Sequence, residues 1–118
     1  MAEERKISVE ISVKPLSVNK VWQGRRFKTK EYKDYEEEVL YKLPKKEMLL
    51  GDKLWVVLDF YVKYPKKCDV DNFIKPILDI LCKKGYIKDD RMIYDLVVRK
   101  FKGDNKIRVY IEKIKEEL

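Results

Sequence analysis

Asp69 and Asp71 stand two residues apart where an apolar strand pattern gives way to a helical one. In an extended backbone their side chains therefore project to the same side. Two carboxylates so placed can share one hard cation. Mg²⁺ takes oxygen ligands, commonly only one or two of them protein carboxylates, and fills its remaining positions with water and phosphate oxygens. That arrangement suits phosphodiester hydrolysis, because the ion lowers the pKa of bound water and offsets charge on the phosphoryl oxygens. A second acidic pair, Asp89-Asp90, follows Gly85 in the loop before the next strand pattern, and one of its members could complete the set. Each pair also has a plain structural role: Asp69 or Asp71 can cap a helix, and Asp89-Asp90 can form an ordinary turn.

Lys75 follows Asp71 by four residues and precedes Asp79 by four, which puts all three on one polar helical stripe opposite Phe73, Ile77 and Leu81. A lysine there could contact a scissile phosphate and stabilise the leaving oxygen, or serve only as an i,i+4 ion pair worth a few tenths of a kcal/mol. The sequence contains no histidine. That excludes histidine-ligated zinc, His-based triads and the usual neutral-pH general base. Cys68 and Cys82 are too few and too far apart for a disulfide scaffold or a four-cysteine zinc site, and they fit a reducing, cytoplasmic setting. Without a histidine to activate it, Cys68 is a poor nucleophile. Lys and Arg total 28 against 21 for Asp and Glu, a net charge of +7, which favours a polyanionic partner.

The elements that must hold these residues are readable from periodicity. Ile7, Val9, Ile11 and Val13 alternate with Ser8, Glu10 and Ser12, the two-residue period of a half-buried strand. From Pro15 to Lys30 periodicity vanishes, and Lys20, Arg25, Arg26, Lys28 and Lys30 interleave with Trp22 and Phe27, which reads as a mobile loop. Arg25, Arg26 and Lys28, with Lys66 and Lys67 further on, are the candidate contacts to a nucleic-acid backbone. Trp22 and Phe27 could stack on exposed bases or pin the loop to the core. Thr29 caps a predicted helix with Tyr32, Tyr35, Val39 and Leu40 on one face, ending before Pro44. Leu54 to Tyr64 is a long strand with both faces largely apolar, so it is central or lies under a partner. Phe73, Ile77 and Leu81 beside Ile74, Leu78 and Cys82 form an amphipathic helix that stops at Gly85. Pro76 moves the regular start of that helix to near Lys75 and makes Asp71 to Ile74 an irregular lead-in turn. Leu96 to Phe101 and Ile107 to Ile111 flank Gly103-Asp104-Asn105, predicting a hairpin. The order β-α-β-α-β-β over residues 1–118 predicts one α+β domain, a mixed sheet with helices packed on it and an antiparallel final pair. No apolar run is long enough for a membrane span, and Met1 to Lys6 leads straight into a strand pattern, so a signal peptide is not expected.

The run Asp69-Val70-Asp71-Asn72-Phe73-Ile74-Lys75-Pro76-Ile77-Leu78-Asp79 resembles the signature of the RusA Holliday-junction resolvases, an Asp-x-Asp-Asn followed by Lys and Asp at these intervals. The resemblance continues through Gly85 and Tyr86 to Asp89-Asp90, whose second aspartate matches the family's third metal ligand. Upstream, Pro15-Leu16-Ser17-Val18-Asn19 is similar to the family's N-terminal Pro-and-Asn stretch, and a basic, aromatic loop follows it. Where a basic residue often precedes the first motif aspartate, this chain has Cys68 after Lys66 and Lys67. The resemblance implies a RusA-like fold and a homodimeric crossover junction endodeoxyribonuclease. Such an enzyme binds four-way DNA junctions and resolves them by paired cuts in DNA recombination and repair, and many members come from phages and prophages. It assigns Asp69, Asp71 and Asp90 to a Mg²⁺ ion, or Mn²⁺ in its place, and Lys75 to the phosphate, with Asn72 and Asp79 in support. Two other classes compete: a basic nucleic-acid-binding module that cuts nothing, and a protein–protein adaptor using the strand from Leu54 to Tyr64. Three clustered carboxylates separate the first class from the second, since a phosphate-binding surface has no electrostatic reason to gather acids unless a cation sits among them.

Overall fold

The computed structural model describes residues 6–17, 27–47 and 53–114 together with 22–23, with backbone alone at 22–23 and 27–28. Strand β1 covers Lys6–Ile11, and a two-residue antiparallel ladder joins β2 (Trp22–Gln23) to β3 (Phe27–Lys28) within the segment whose sequence reads as a plain loop. Arg25 and Arg26 lie outside the described residues. Helix α1 spans Lys30–Lys42, and Thr29 caps it as expected, its hydroxyl accepting from Tyr32 N–H at 3.1 Å. Strand β4 (Leu54–Val62) ends two residues earlier than its apolar pattern. Helix α2 (Ile74–Lys84) then leads to β5 (Ile93–Lys102) and β6 (Lys106–Lys113).

The sheet order is β1-β6-β4-β5. Strand β4 is central, parallel to β5 on one side and antiparallel to β6 on the other, while β1 closes the far edge against β6. The hairpin expected at Gly103-Asp104-Asn105 is therefore not formed. Strands β5 and β6 run in opposite directions but flank β4, and the turn between them passes over its end, where Gly103 N–H donates to the Val62 carbonyl at 3.0 Å. The residues that favour a two-strand turn also suit this short bridge. What decides between them is the apolar character of β4, which is most favourably placed with a neighbour on each side.

Alternate residues of β4 divide the two faces of the sheet. Leu54, Val56, Leu58, Phe60 and Val62 are buried in one core with Tyr32, Tyr35 and Val39 of α1, Ile77, Ile80 and Leu81 of α2, and Ile107, Val109 and Ile111 of β6. Phe73, just ahead of α2, packs on Phe60 with ring centroids 5.1 Å apart, which anchors the start of the helix to the sheet. The two helices are tied together by Lys83 to Glu36 at 2.9 Å and by Lys84 to the Leu40 carbonyl at 3.1 Å. The opposite face carries Trp55, Val57 and Tyr61, half-buried, and among the described residues both helices contribute to the core on the other face. Among the described residues no helix is long and apolar enough to cross a membrane.

Helix α2 ends where Gly85 takes φ 91° and ψ 19°, its N–H donating to the Cys82 and Leu81 carbonyls while Tyr86 N–H reaches Leu81 at 3.1 Å. This left-handed cap turns the chain toward Asp89 and Asp90. A Cβ at Gly85 would meet nothing within 4 Å, so any penalty there is purely torsional. Gly85→Ala should cost about 1 kcal/mol, visible as a lower urea midpoint at unchanged slope.

Candidate active site

Every residue singled out for metal binding or catalysis lies between the end of β4 and the start of β5. The chain leaves Val62 and makes one 3-10 turn at Pro65–Lys67 and a second at Val70–Phe73. It then runs along α2 and makes a third such turn at Asp90–Met92 before β5 begins. The irregular lead-in required by Pro76 is the second of these turns, and Ile74 rather than Lys75 starts the regular helix.

Asp69 precedes that second turn with φ −89° and ψ 121°, and its carbonyl accepts from Asn72 N–H at 3.1 Å, but its carboxylate makes no capping hydrogen bond. The N-terminus of α2 is likewise uncapped by a side chain. Capping would have been the ordinary reason for acids at these positions, and neither Asp69 nor Asp71 performs it. Both carboxylates are solvent-exposed. Exposed carboxylates are inexpensive to keep, because water solvates them, and they leave their oxygens available to a ligand.

The second acidic pair divides its roles. Asp89 is structural: its carboxylate accepts from the Arg91 N–H at 2.9 Å and from the Arg91 guanidinium at 3.1 Å. Those bonds, the backbone one foremost, pull the Asp89 carboxyl down to about 2. Asp90 faces α2 instead, and its Oδ2 lies 3.2 Å from Lys75 Nζ. Lys75 also meets Asp79 Oδ1 at 3.1 Å. Hydrogen bonds to Asp79 and then Asp90 raise the lysine's pKa, so it remains an ammonium throughout the neutral range. The expected stripe is thus half realised: Lys75 pairs with Asp79, its other partner is Asp90 from a different segment, and Asp71 does not join them.

The loop holding Asp69 is fastened by a residue the sequence did not single out. Lys100 of β5 donates from Nζ to the Cys68 carbonyl at 2.7 Å. It brings a cation to the residue that directly precedes Asp69. Lys100 could not be placed from sequence, because its position follows from the parallel β4–β5 register, in which it stands opposite Phe60. Cys68 itself is half-buried, its thiol 3.6 Å from the Tyr64 carbonyl. Lys66 and Lys67 are exposed on the first 3-10 turn, with Lys67 Nζ 5.4 Å from the Tyr64 ring centroid.

The family model for endodeoxyribonuclease RusA matches residues 12–113. The chain belongs to the RusA endodeoxyribonuclease family. No curated protein matches the sequence significantly. The RusA match runs from the end of β1 through β6 and so includes all of the segment that carries the aspartates and Lys75. As donors, the exposed, oxygen-only carboxylates of Asp69 and Asp71 fit a hard divalent ion. Among the described residues, however, no three acidic or cysteine side chains stand close enough together to hold one metal ion. Asp90 is engaged with the Lys75 ammonium and is not gathered with Asp69 and Asp71 into one three-carboxylate cage.

The Lys100 tether yields a direct test. Lys100→Met keeps the apolar stem and removes the ammonium. The variant should lose about 1.5 kcal/mol in urea unfolding, in keeping with a hydrogen bond from a charged donor. Cleavage by the same protein should fall as the Asp69 loop loosens, and unchanged stability would show that the Cys68 contact carries no weight.

Proposed function

We propose that this RusA-family protein is a divalent-metal-dependent nuclease that resolves four-way DNA junctions as a homodimer, acting in recombination and repair. The observation that supports the reading best is the condition of Asp69 and Asp71, exposed and free of any capping duty at the head of a helix in a chain of net charge +7. A protein that only gripped phosphates would gain from removing both acids, which argues against the non-catalytic module. DNA as substrate and two free cysteines agree with a cytoplasmic protein.

In this reading Asp69 and Asp71 hold Mg²⁺, or Mn²⁺ in its place. A bound ion would supply an acidified water and offset charge on the phosphoryl oxygens, the work for which this sequence has no histidine. Lys75 acts on the substrate directly. An ammonium has three N–H donors, and two are directed to Asp79 and Asp90, which leaves one for a phosphate oxygen on the exposed side of the helix. Its two carboxylates fix its position and keep it protonated, so it meets the phosphate already oriented. Asp90 is then a holder of Lys75 as well as a candidate ligand. Lys66 and Lys67, with Arg25, Arg26 and Lys28, supply affinity for the DNA backbone.

Two-fold symmetry follows from the substrate, since paired cuts on symmetry-related strands call for two sites and the chain carries one such segment. Mass measurement of the junction-bound protein should give a dimer, and a monomeric complex would contradict that part of the reading.

A synthetic four-way junction should be cut in Mg²⁺ and spared in EDTA. Asp71→Asn should reduce cutting by about 100-fold or more while junction binding persists, because a ligand is lost and a repulsive charge removed. Near-normal cutting by that variant at low Mg²⁺ would remove Asp71 from the site. Lys75→Ala should lower the single-turnover rate at saturating protein by about 10²-fold, comparable to loss of one transition-state donor, with little change in binding. A normal rate would exclude Lys75 from the chemical step.

A further inference from the structure

Stacking on a nucleobase needs an aromatic ring with an open face and a cation available to the adjoining phosphate. The uncovered face of the sheet lacks both: Tyr61 and Phe101 stack on each other with centroids 5.0 Å apart, and Arg99, which lies over Phe101 at 5.5 Å, is bonded to Asp59. Tyr64, just past the end of β4, is placed differently. It is 68% exposed, and Lys67 Nζ stands 5.4 Å from its ring centroid. A single ammonium covers one face of a ring, and among the described residues no second ring or cation lies on the other.

The backbone beneath this ring is braced. The Tyr64 carbonyl accepts from Lys67 N–H at 3.0 Å and from the Cys68 thiol at 3.6 Å, and Pro65 restricts the conformation of the residue before it. The same turn concentrates positive charge that no acid takes up. Lys63, Lys66 and Lys67 are all exposed, and among the described residues none of them meets a carboxylate, whereas Lys42, Lys75, Lys83 and Lys106 each do. Lys100 fastens the stretch to β5 through the Cys68 carbonyl, immediately ahead of Asp69. Five residues of chain span at most about 18 Å, so Tyr64 and Asp69 fall within a few nucleotides of each other along a bound strand.

An occupant of this turn has to bring a flat face together with anions. Duplex DNA hides its base faces in its own stack, so an unpaired strand is the form that meets the demand. An acidic peptide would satisfy the lysines alone. We propose that Tyr64 stacks on an unpaired base of the DNA strand that enters the candidate active site, with Lys66 and Lys67 taking the adjoining phosphates, and thereby sets which phosphate reaches Asp69 and Asp71. The choice of DNA rests on the junction-nuclease reading; the stacking is tested apart from it.

Binding measured in EDTA makes that separation, because no cutting is involved. Fluorescence anisotropy would compare a labelled oligothymidylate of about 15 nucleotides with an abasic oligomer of equal length and charge. Wild type should prefer the oligothymidylate. Tyr64→Leu should weaken that binding by about 5- to 100-fold and leave the abasic oligomer unaffected, while Tyr64→Trp keeps the preference. Tyr41→Leu, at a residue 89% exposed on α1, should change neither. Lys66→Gln combined with Lys67→Gln should weaken both oligomers alike and reduce the salt slope by about 1.4. On a synthetic junction in Mg²⁺, Tyr64→Leu should scatter the cuts over neighbouring phosphates.

Equal binding of the two oligomers by wild type would overturn the proposal, as would wild-type affinity in Tyr64→Leu or an equal loss for both oligomers in that variant. Polyglutamate of the same charge competing as well as the oligothymidylate would assign the turn to acidic peptides instead. An unchanged cut position in Tyr64→Leu would refute the positioning. Loss of cutting in Asp71→Asn with no base preference in wild type would leave the nuclease reading standing and the Tyr64 contact refuted, and a base preference in a protein that cuts no junction would do the reverse.

Discussion

A strand parallel to its neighbour cannot be reached by a tight turn, and that constraint shapes the molecule. Strands β4 and β5 lie side by side in the same direction, so the chain must climb out of the sheet, cross the core and return. The crossover is the segment that carries Asp69, Asp71, Lys75, Asp79 and Asp90. Its interior is dictated by packing: Phe73 on Phe60, and Ile77, Ile80 and Leu81 buried under the sheet. Its solvent side is left to polar residues whose positions packing has already fixed. The candidate active site is therefore the outer surface of a connection the topology requires.

Much of this was legible in the sequence, and the reason is that the legible parts are local. The period-two alternation of β1, the Thr29 cap and the displaced start of α2 ahead of Pro76 each depend on residues within a few positions of one another. The aspartate spacing was visible in the same way, but placing both side chains on one side assumed an extended backbone, and the 3-10 turn at Val70–Phe73 takes up Asp71 while only Asp69 stays extended. The choice of Asp90 over Asp89 came from the family resemblance; in the structure Asp89 is taken up by Arg91 and Asp90 by Lys75. What sequence could not show is which strands become neighbours. Gly103-Asp104-Asn105 has the chemistry of a hairpin turn, and nothing nearby tells that β4 will lie between the strands it joins. The same blindness concealed Lys100, which is 32 residues from the carbonyl it holds. It also concealed the Tyr61–Phe101 stack.

Charge is arranged with similar economy on the two sides of the sheet. On the uncovered face Asp59 is buried to 8% exposure and stands opposite both Arg99 and Arg108 in its neighbouring strands. A carboxylate so enclosed is tolerable because Arg99 grips it with two hydrogen bonds, of 2.7 and 2.8 Å. The pairing also aims the guanidinium beside Phe101. On the helix side Lys75 is steered by Asp79 and Asp90 in the same manner. In both places acids set the direction of cations, so in a basic chain the arrangement of carboxylates decides where positive charge is presented.

Strand β1 finds its place against β6, with Lys6 opposite Glu112 and Ile11 opposite Ile107. The first strand of the chain thus waits for the last. During synthesis β1 has no native strand partner until β6 has been made, and closing so long a loop is slow compared with helix formation. Assembly of the sheet is therefore a late event. Without β6, β1 would lack its pairing strand, one edge of β4 would be uncovered and the aspartates would sit on an unfinished scaffold, so β6 joins the two ends of the described chain into one sheet.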